Sequence, residues 1–594
     1  MAQSSDGIVC LLVFPIHPDA TKGENWVTRQ LLSIASSRFG VAPELLDISE
    51  TPISLPLDTS ITVLLTPSLL LHDDPPWRYF LNLASSGRPI FYEMTDSGVI
   101  LAAAFPCKTD PAIAKSWARY LSNRSLATAQ PRPPLPQGSW VLSEAGAVSD
   151  HGFHFPLDRS QDERRARDLA AVNNLVAELS GCPPRIPALA EQVGRSSVPW
   201  LMNSMLNELE YRSGSYDVRS TPREIHLSTT SACNIECHFC SYTHGNAIFR
   251  YLDPDAVNAL GIYSQLEDLR LSAGLGEPTL NPHLPKIIHR LRGNYPHLCL
   301  NLFTNGLAWS RKGLVDSFSR LTWINISLNA ANGETWRELC GKDGFSRIQS
   351  NLTGLLDAKG ERTLPHLYGS IVLNRRNIDE LPHLPALCAR LGIRRLTAIP
   401  YFALGYEGSG KLASDSTLDA CRAQYAAVYD EFLRSAEAAQ VSIELPFPGH
   451  AESISFGVEK RRLHDFSRLL RANIRIERLL DGEFPEGTAC PSLWRMTSIG
   501  ATSRNHANST VHGYLYPCLG PLSSHDFSIQ MPIDFTSREQ FFKSWNGPSY
   551  QGLRAGQPGR SPVCDACAQS DSRNPRNFPL FLRLRKEAAF HILQ

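Results

Sequence analysis

Short apolar runs alternate with amphipathic stretches along most of the chain. In the first 121 residues "IVCLLVF", "PELLDIS", "ITVLLTP" and "RPIFYEM" have the length and β-branched content of strands. Between them "NWVTRQLLSIASSRFG", "WRYFLNLASSG" and "AIAKSWARYL" carry apolar positions three and four apart, the spacing of one helix face. That rhythm predicts an open parallel sheet with covering helices. "RSLATAQPRPPLPQGSW" (124–140) interrupts it with four prolines, which continue neither a helix nor a central strand, and reads as a linker. Residues 160–212 return to helical spacing, with "IPALAEQVG" and "VPWLMNSMLNELEYR" separated by a polar turn at 195–197. A helical brace and a winged-helix-like segment both fit 141–220.

From residue 224 the alternation is sharper. Strands are predicted at 224–229, 268–273, 298–303, 323–328, 368–374 and 395–401, with helical patterns between them such as "PHLPKIIHRLRGNYP" and "LPHLPALCARLG". Six successive βα units imply a parallel, TIM-like partial (βα)6 barrel over 221–447, whose chemistry belongs at the carboxyl ends of its strands. The remaining stretch, 448–594, is expected to form a small cysteine-rich domain.

Composition narrows the setting. Lysine plus arginine equals aspartate plus glutamate at 58 each, so no net field draws the chain to nucleic acid or an anionic membrane. The apolar runs fall far short of the roughly 20 residues that span a bilayer, and no basic segment precedes the first of them. A soluble, cytoplasmic protein is expected. Fourteen cysteines in 594 residues are too sparse for a disulfide framework. Their clustering is more informative.

Cys233, Cys237 and Cys240 follow the first barrel strand in "TTSACNIECHFCSYTHG" (229–245), spaced Cys-x3-Cys-x2-Cys. A closed structural zinc site takes four protein ligands, and this loop offers three thiols with His238 between the last two. An iron-sulfur cube also has four corners, so three cysteines leave one iron open to a ligand.

With these residues in place, the segment 224–444 resembles the radical S-adenosylmethionine enzymes, whose partial (βα)6 barrel carries this spacing after its first strand. "LSAGLGEPTLNP" (271–282) sets Gly274, Gly276 and Glu277 at the end of the second strand, similar to the family's Gly-Gly-Glu segment that receives the methionine ammonium. "FTNGL" brings Asn305 to the end of the third strand, and "ISLNA" brings Ser327 and Asn329 to the fourth, where such residues touch the ribose or carboxylate. "IVLNRRN" and "TAIPYF" suit the fifth and sixth strands near the adenine. The resemblance implies a 4Fe-4S cluster on the three cysteines and S-adenosylmethionine on its open iron, reductively cleaved to a 5'-deoxyadenosyl radical that abstracts a substrate hydrogen. Elementary chemistry agrees: an ammonium needs an acceptor such as Glu277, and glycines admit a ligand to the backbone.

A second thiol set, Cys490, Cys518, Cys564 and Cys567, suits zinc or a cube equally well by number. Cys490 followed by Gly513-x4-Cys518 is similar to the hairpin of the SPASM and twitch extensions, which hold auxiliary 4Fe-4S clusters. The interval from Cys490 to Gly513 is longer than in that hairpin, and no cysteine follows Cys567, so the resemblance implies one auxiliary cluster. Cys10, Cys107, Cys182, Cys299, Cys340, Cys388 and Cys421 lie singly, the pattern of buried structural thiols.

The first 123 residues are loosely similar to doubly wound, flavodoxin-like domains, and Thr21, Gly23 and Asn25 precede the first helix, whose amino terminus can hold a phosphate. No glycine-rich dinucleotide fingerprint and no Asp-x-His-x-x-Gly cobalamin motif is present, so a cofactor-free sheet is weighed against flavin there. Four functions follow: radical modification of a ribosomally made peptide, tailoring of a small molecule such as a sugar or aminocyclitol alcohol by dehydrogenation, cobalamin-dependent methyl transfer, and a zinc-binding module without enzymatic activity. Helical units like 160–212 hold a leader peptide in some peptide-modifying enzymes, which favours the first. Each radical reading requires an external flavodoxin- or ferredoxin-type electron donor.

Overall fold

The structure, a computed structural model, describes residues 8–13, 26–39, 44–46, 61–65, 89–93, 100–106, 110–122, 140–143, 148–150, 159–240, 251–272, 276–309, 313–357, 365–401, 420–444, 453–454, 476–482, 484, 490, 492–500, 512–517, 531–534 and 537–555. They fall into two compact units, Met1–Leu209 with Asp465–Glu486, and Glu210–His464 with Gly487–Gln594. Among the described residues no helix is long and apolar enough to cross a membrane.

The first unit is built on β1 (Ile8–Val13), β2 (Glu44–Leu46), β3 (Ile61–Leu65), β4 (Ile90–Glu93), β5 (Ile100–Pro106), β6 (Trp140–Ser143) and β7 (Val148–Asp150), in the order β2-β1-β3-β5-β4-β6-β7. β1 is parallel to β2 and β3, but β5 is antiparallel to both β3 and β4, so the sheet is mixed where the alternation predicts it parallel. The reason is connection length. Only "MTDSGV" separates β4 from β5, too short for a crossover helix and rich in turn formers. The proline-rich stretch does not end this sheet either: Trp140–Ser143 pairs in parallel with β4, so the boundary expected at 123–141 falls inside one unit. The helical region starts at Arg159 and comprises Arg159–Ser180, Ile186–Val193 and Pro199–Arg212. The turn before the last helix is pinned by Glu178, whose Oε1 accepts from Ser197 N and Oγ at 2.9 and 2.6 Å.

In the second unit β8 (Glu224–Leu227), β9 (Asp268–Arg270), β10 (Cys299–Thr304), β11 (Trp323–Ser327), β12 (His366–Leu373) and β13 (Arg395–Pro400) lie side by side in chain order, all parallel. They are the six expected strands with ends within three residues of expectation, β10 running one residue later and β12 beginning two earlier, and they form the partial barrel. Helices between them follow local signals. Asp253 caps Pro254–Ala259 by accepting from Asp255 N at 2.7 Å, and Asn332 caps Gly333–Cys340 by accepting from Glu334 N and Thr335 N at 2.9 and 3.0 Å. Leu300 and Leu302 of β10 and Ile324 and Ile326 of β11 share one buried apolar cluster with Ile287, Ile288 and Leu291 of the helix Leu284–Asn294. Alternate residues make the opposite, polar face, where Asn301 Nδ2 donates to Asp268 Oδ1 at 2.6 Å and the Arg270 guanidinium lies 4.3 Å from the Phe303 ring.

Beyond the six strands, β14 (Ser442–Glu444) adds in parallel to β13 and β15 (Ser453–Ile454) in antiparallel to β14. On the other edge β16 (Met496–Gly500) runs parallel to β8, followed by antiparallel β17 (His512–Tyr516) and β18 (Met531–Asp534). Strands of the expected C-terminal domain therefore extend the barrel sheet itself. Period-2 patterning marks a strand but does not say which sheet it joins.

Candidate active site

The cysteine loop leaves the carboxyl end of β8 and is held by three neighbouring βα units. Ser228 N donates to Ile499 O at 2.9 Å, and Thr230 Oγ1 accepts from Ala232 N at 3.0 Å, which tightens the turn. At its far side Glu236 N donates to Cys340 O at 3.1 Å and His238 N to Leu339 O at 2.7 Å, so the end of the helix Gly333–Cys340 carries the middle of the loop. Lys342 Nζ donates to Asn234 O at 3.2 Å.

Cys233, Cys237 and Cys240 are each half-buried, and none is in a disulfide. Burial pushes the Cys233 thiol up to about 12, with the Glu277 charge adding to it. Cys237 is raised well above its ordinary value by a hydrogen bond with Cys340, then by burial. Both shifts favour the protonated thiol, and a metal that takes Cys233 and Cys237 must release those protons. Among the described residues, no three His, Cys, Asp or Glu side chains are gathered at metal-ligating distances; the three thiols share a short loop without a finished cage.

The turn after β9 docks directly on this loop. Gly276 has φ +71°, and a Cβ there would stand 2.2 Å from Thr230 O and 3.0 Å from Ala232 O. Glu277 N donates to Ala232 O at 2.6 Å. The Glu277 carboxylate is buried: its Oε1 accepts from Thr279 N, Thr279 Oγ1 and Thr304 Oγ1 at 3.1, 2.6 and 2.7 Å, and its Oε2 from Asn305 N at 2.7 Å. Burial raises its pKa, and these hydrogen bonds oppose the rise. A carboxylate has about four acceptor sites, two on each oxygen, so Oε2 retains one for a further donor such as an ammonium. Glu277 is thus a tie between β9, β10 and the loop as well as an acceptor.

Asn305 completes the tie. Its Nδ2 donates to Asn234 Oδ1 at 2.7 Å and its Oδ1 accepts from Leu307 N at 3.1 Å, so its side chain is engaged within the protein. Ser327 and Asn329 at the end of β11 differ. The Ser327 hydroxyl and the Asn329 Nδ2 have no partner among the described residues. Asn329 adopts φ +60°, tolerated by asparagine, while its Oδ1 accepts from Val372 N at 3.0 Å and its carbonyl from Asn377 Nδ2 at 2.8 Å. Gly274, Cys518, Cys564 and Cys567 lie outside the described residues.

The carboxyl ends of β8, β9, β10 and β11 thus bring together the cysteine loop, Gly276, Glu277, Asn305, Ser327 and Asn329. Cys490 stands elsewhere. It precedes β16, which runs parallel to β8, and so belongs to the amino ends of the strands. β17 ends at Tyr516 beside Ser498 of β16, at that same end. Sequence reasoning missed the partners Thr230, Asn234 and above all Cys340, a single cysteine in a helical pattern whose contact with Cys237 arises only from packing.

The parallel partial barrel thus carries three thiols on its first βα loop and a carboxylate-bearing turn on its second. Residues 227–387, from the end of β8 to the helix Leu384–Arg390, match the Radical SAM superfamily. Over those residues the barrel is similar to the domain of that superfamily. A probable GTP 3',8-cyclase of Saccharolobus islandicus is 28% identical over 194 residues, which cover 32% of this chain and 59% of that protein. The chain thus spans about three fifths of that relative's length. The GTP 3',8-cyclase of Streptomyces coelicolor is 26% identical over 240 residues, covering 37% of this chain and 67% of that one. Among solved structures, Streptococcus suis SuiB bound to its precursor peptide SuiA superposes with a TM-score of 0.41 at 14% identity, covering 68% of this chain and 86% of that chain.

Proposed function

We propose that the protein is a radical S-adenosylmethionine enzyme that modifies a ribosomally made peptide at an unactivated carbon. The observation that carries the radical reading is the docking of Gly276 and Glu277 on the cysteine loop, which places a carboxylate with a spare acceptor site beside three thiols. The residues fit the cofactors that the superfamily implies. Cys233, Cys237 and Cys240 would hold a 4Fe-4S cluster, and Glu277, Ser327 and Asn329 would hold S-adenosylmethionine. Bound there, cluster and S-adenosylmethionine supply a carbon-centred radical that removes a hydrogen atom from the substrate.

The chain's own part is binding and orientation. Glu277 Oε2 accepts an ammonium proton, and the unpartnered Ser327 hydroxyl and Asn329 amide donate to ribose or carboxylate oxygens. Gly276, lacking a Cβ, lets the turn sit on the loop so that these groups stay fixed relative to the thiols. Cys490 and the hairpin β16–β17 support a second thiol site at the opposite end of the strands, where an auxiliary 4Fe-4S cluster would pass an electron rather than bind S-adenosylmethionine. The helices Ile186–Val193 and Pro199–Arg212 and their short turn support a peptide over a small alcohol, since such a pair offers a surface for a leader segment. External reduction by a flavodoxin- or ferredoxin-type donor completes the proposal.

The test is anaerobic. Purified protein with S-adenosylmethionine and a reductant should form 5'-deoxyadenosine, the Cys233/Cys237/Cys240→Ala protein should form none, and a candidate peptide encoded beside the gene should gain a mass change. Deoxyadenosine from the triple variant would remove the radical reading. A sugar alcohol oxidised in place of any peptide would move the substrate class alone.

A further inference from the structure

Cys340 lies against the cysteine loop from outside the motif. It ends the helix Gly333–Cys340, is fully buried in the barrel's apolar cluster, and Cys237 packs against that same cluster. Two backbone bonds bracket the pair: Glu236 N to Cys340 O at 3.1 Å and His238 N to Leu339 O at 2.7 Å, on either side of Cys237. The next residue, Gly341, has φ +68°, and a Cβ there would stand 2.8 Å from Glu236 O, so the helix end and the loop are in close backbone contact. The two thiols are within hydrogen-bonding reach of each other. The backbone bonds hold them together whatever the side chains do.

We propose that Cys237 and Cys340 form a reversible disulfide when the loop holds no cluster. The bond itself is independent of the radical reading; only its consequence, that oxidation keeps Cys237 from a cluster, rests on that reading. With oxidised glutathione as the oxidant, half-exposed Cys237 attacks one sulfur, giving a mixed disulfide and one glutathione thiol. Buried Cys340 then displaces the second glutathione. One protein disulfide replaces one glutathione disulfide, the protein loses two electrons, glutathione gains them, and two thiol protons leave with the two glutathiones. Once closed, the bond removes Cys237 from further oxidation to sulfinic acid.

The experiment uses full-length, cluster-free protein incubated anaerobically with oxidised glutathione, alkylated, digested and read by mass spectrometry. The expected result is a crosslinked peptide joining Cys237 to Cys340, lost in Cys340→Ser and suppressed by prior loading with iron and sulfide. Crosslinks confined to Cys233, Cys237 and Cys240, or only mixed disulfides with glutathione, would overturn the proposal. Cys340→Ala, checked by its melting temperature, serves if the serine variant does not fold. Iron uptake is measured on the same Cys340 variant. Uptake equal to wild type keeps the three-cysteine reading intact even when the crosslink is absent, so the two ideas fail separately.

Discussion

Gly276 meets Thr230 backbone to backbone: a Cβ on the glycine would stand 2.2 Å from the threonine carbonyl oxygen. No side chain can relieve that overlap, because both partners are main chain and the turn is left-handed at φ +71°. The contact joins the turn after β9 to the cysteine loop, and a neighbouring bond, Glu277 N to Ala232 O, depends on it.

Gly276→Ala is therefore expected to separate the two loops. The left-handed backbone alone costs about 1–2 kcal/mol in an alanine, and the forced shift adds to it. The variant should unfold at lower denaturant concentration and take up less iron on reconstitution, whereas Gly214→Ala, also at positive φ but with open space around its Cβ position, should lose only stability. Equal iron uptake by Gly276→Ala and wild type would show that the contact does not order the loop.

Ser327 and Asn305 should respond in opposite ways. Ser327→Ala removes a hydroxyl with no partner among the described residues, so its melting temperature should match wild type, while S-adenosylmethionine binding by calorimetry weakens about fivefold, the worth of one hydrogen bond of about 1 kcal/mol. Asn305→Ala leaves Asn234 Oδ1 and Leu307 N without their partner and should lower the melting temperature, because buried groups lose their bonds. Loss of binding in Asn305→Ala at unchanged stability would make Asn305 a direct ligand.

Much of this site was legible from local pattern. The strands of the barrel follow the alternation, and the cysteine spacing and the Gly276–Glu277 turn mark the ends of β8 and β9. What was not legible depends on tertiary packing. Nothing in "RELC" announces that Cys340 reaches Cys237, and a glutamate in a turn does not disclose that four bonds reach its carboxylate, three on Oε1 from Thr279 N, Thr279 Oγ1 and Thr304 Oγ1 and one on Oε2 from Asn305 N. In the first unit, β5 escaped because "VILAAAFP" is alanine-rich and weak as a strand pattern, and its pairing reversed the expected sheet direction.

Acid should expose a charge cluster on the polar face of the barrel. Burial alone would raise the Glu224 pKa, but the hydrogen bond from His226 Nε2 and the nearby Arg270 and Arg223 guanidinia outweigh it and hold the carboxyl at about 2. His226 itself is lowered by burial and by Arg270, with the Glu224 charge and hydrogen bond opposing. Because the folded value lies below the unfolded 4.5, Glu224 stabilises the fold above pH 4.5, and the contribution is lost as pH falls toward 2. Discounted for a side chain one third exposed, the effect is about 1–2 kcal/mol. Urea midpoints of wild type and Glu224→Gln should differ at pH 7 and converge toward pH 3; a constant gap would assign the difference to packing.

Cys490 and the loop cysteines should separate by experiment as they do in the barrel. Cys233, Cys237 and Cys240 sit at the carboxyl ends of the strands and Cys490 at the amino ends, joined through the parallel pair β8 and β16. Substituting Cys490 cannot reach the Gly276–Glu277 docking, so cleavage of S-adenosylmethionine should survive in Cys490→Ala while substrate turnover stops. Iron should fall from about eight to about four per chain if the second site is a cube, with the electronic spectrum of one cluster remaining. Iron constant at about four, with zinc lost from Cys490→Ala, would make the site structural zinc. Turnover would then fail through instability, detectable as a lowered melting temperature, rather than through a missing electron path.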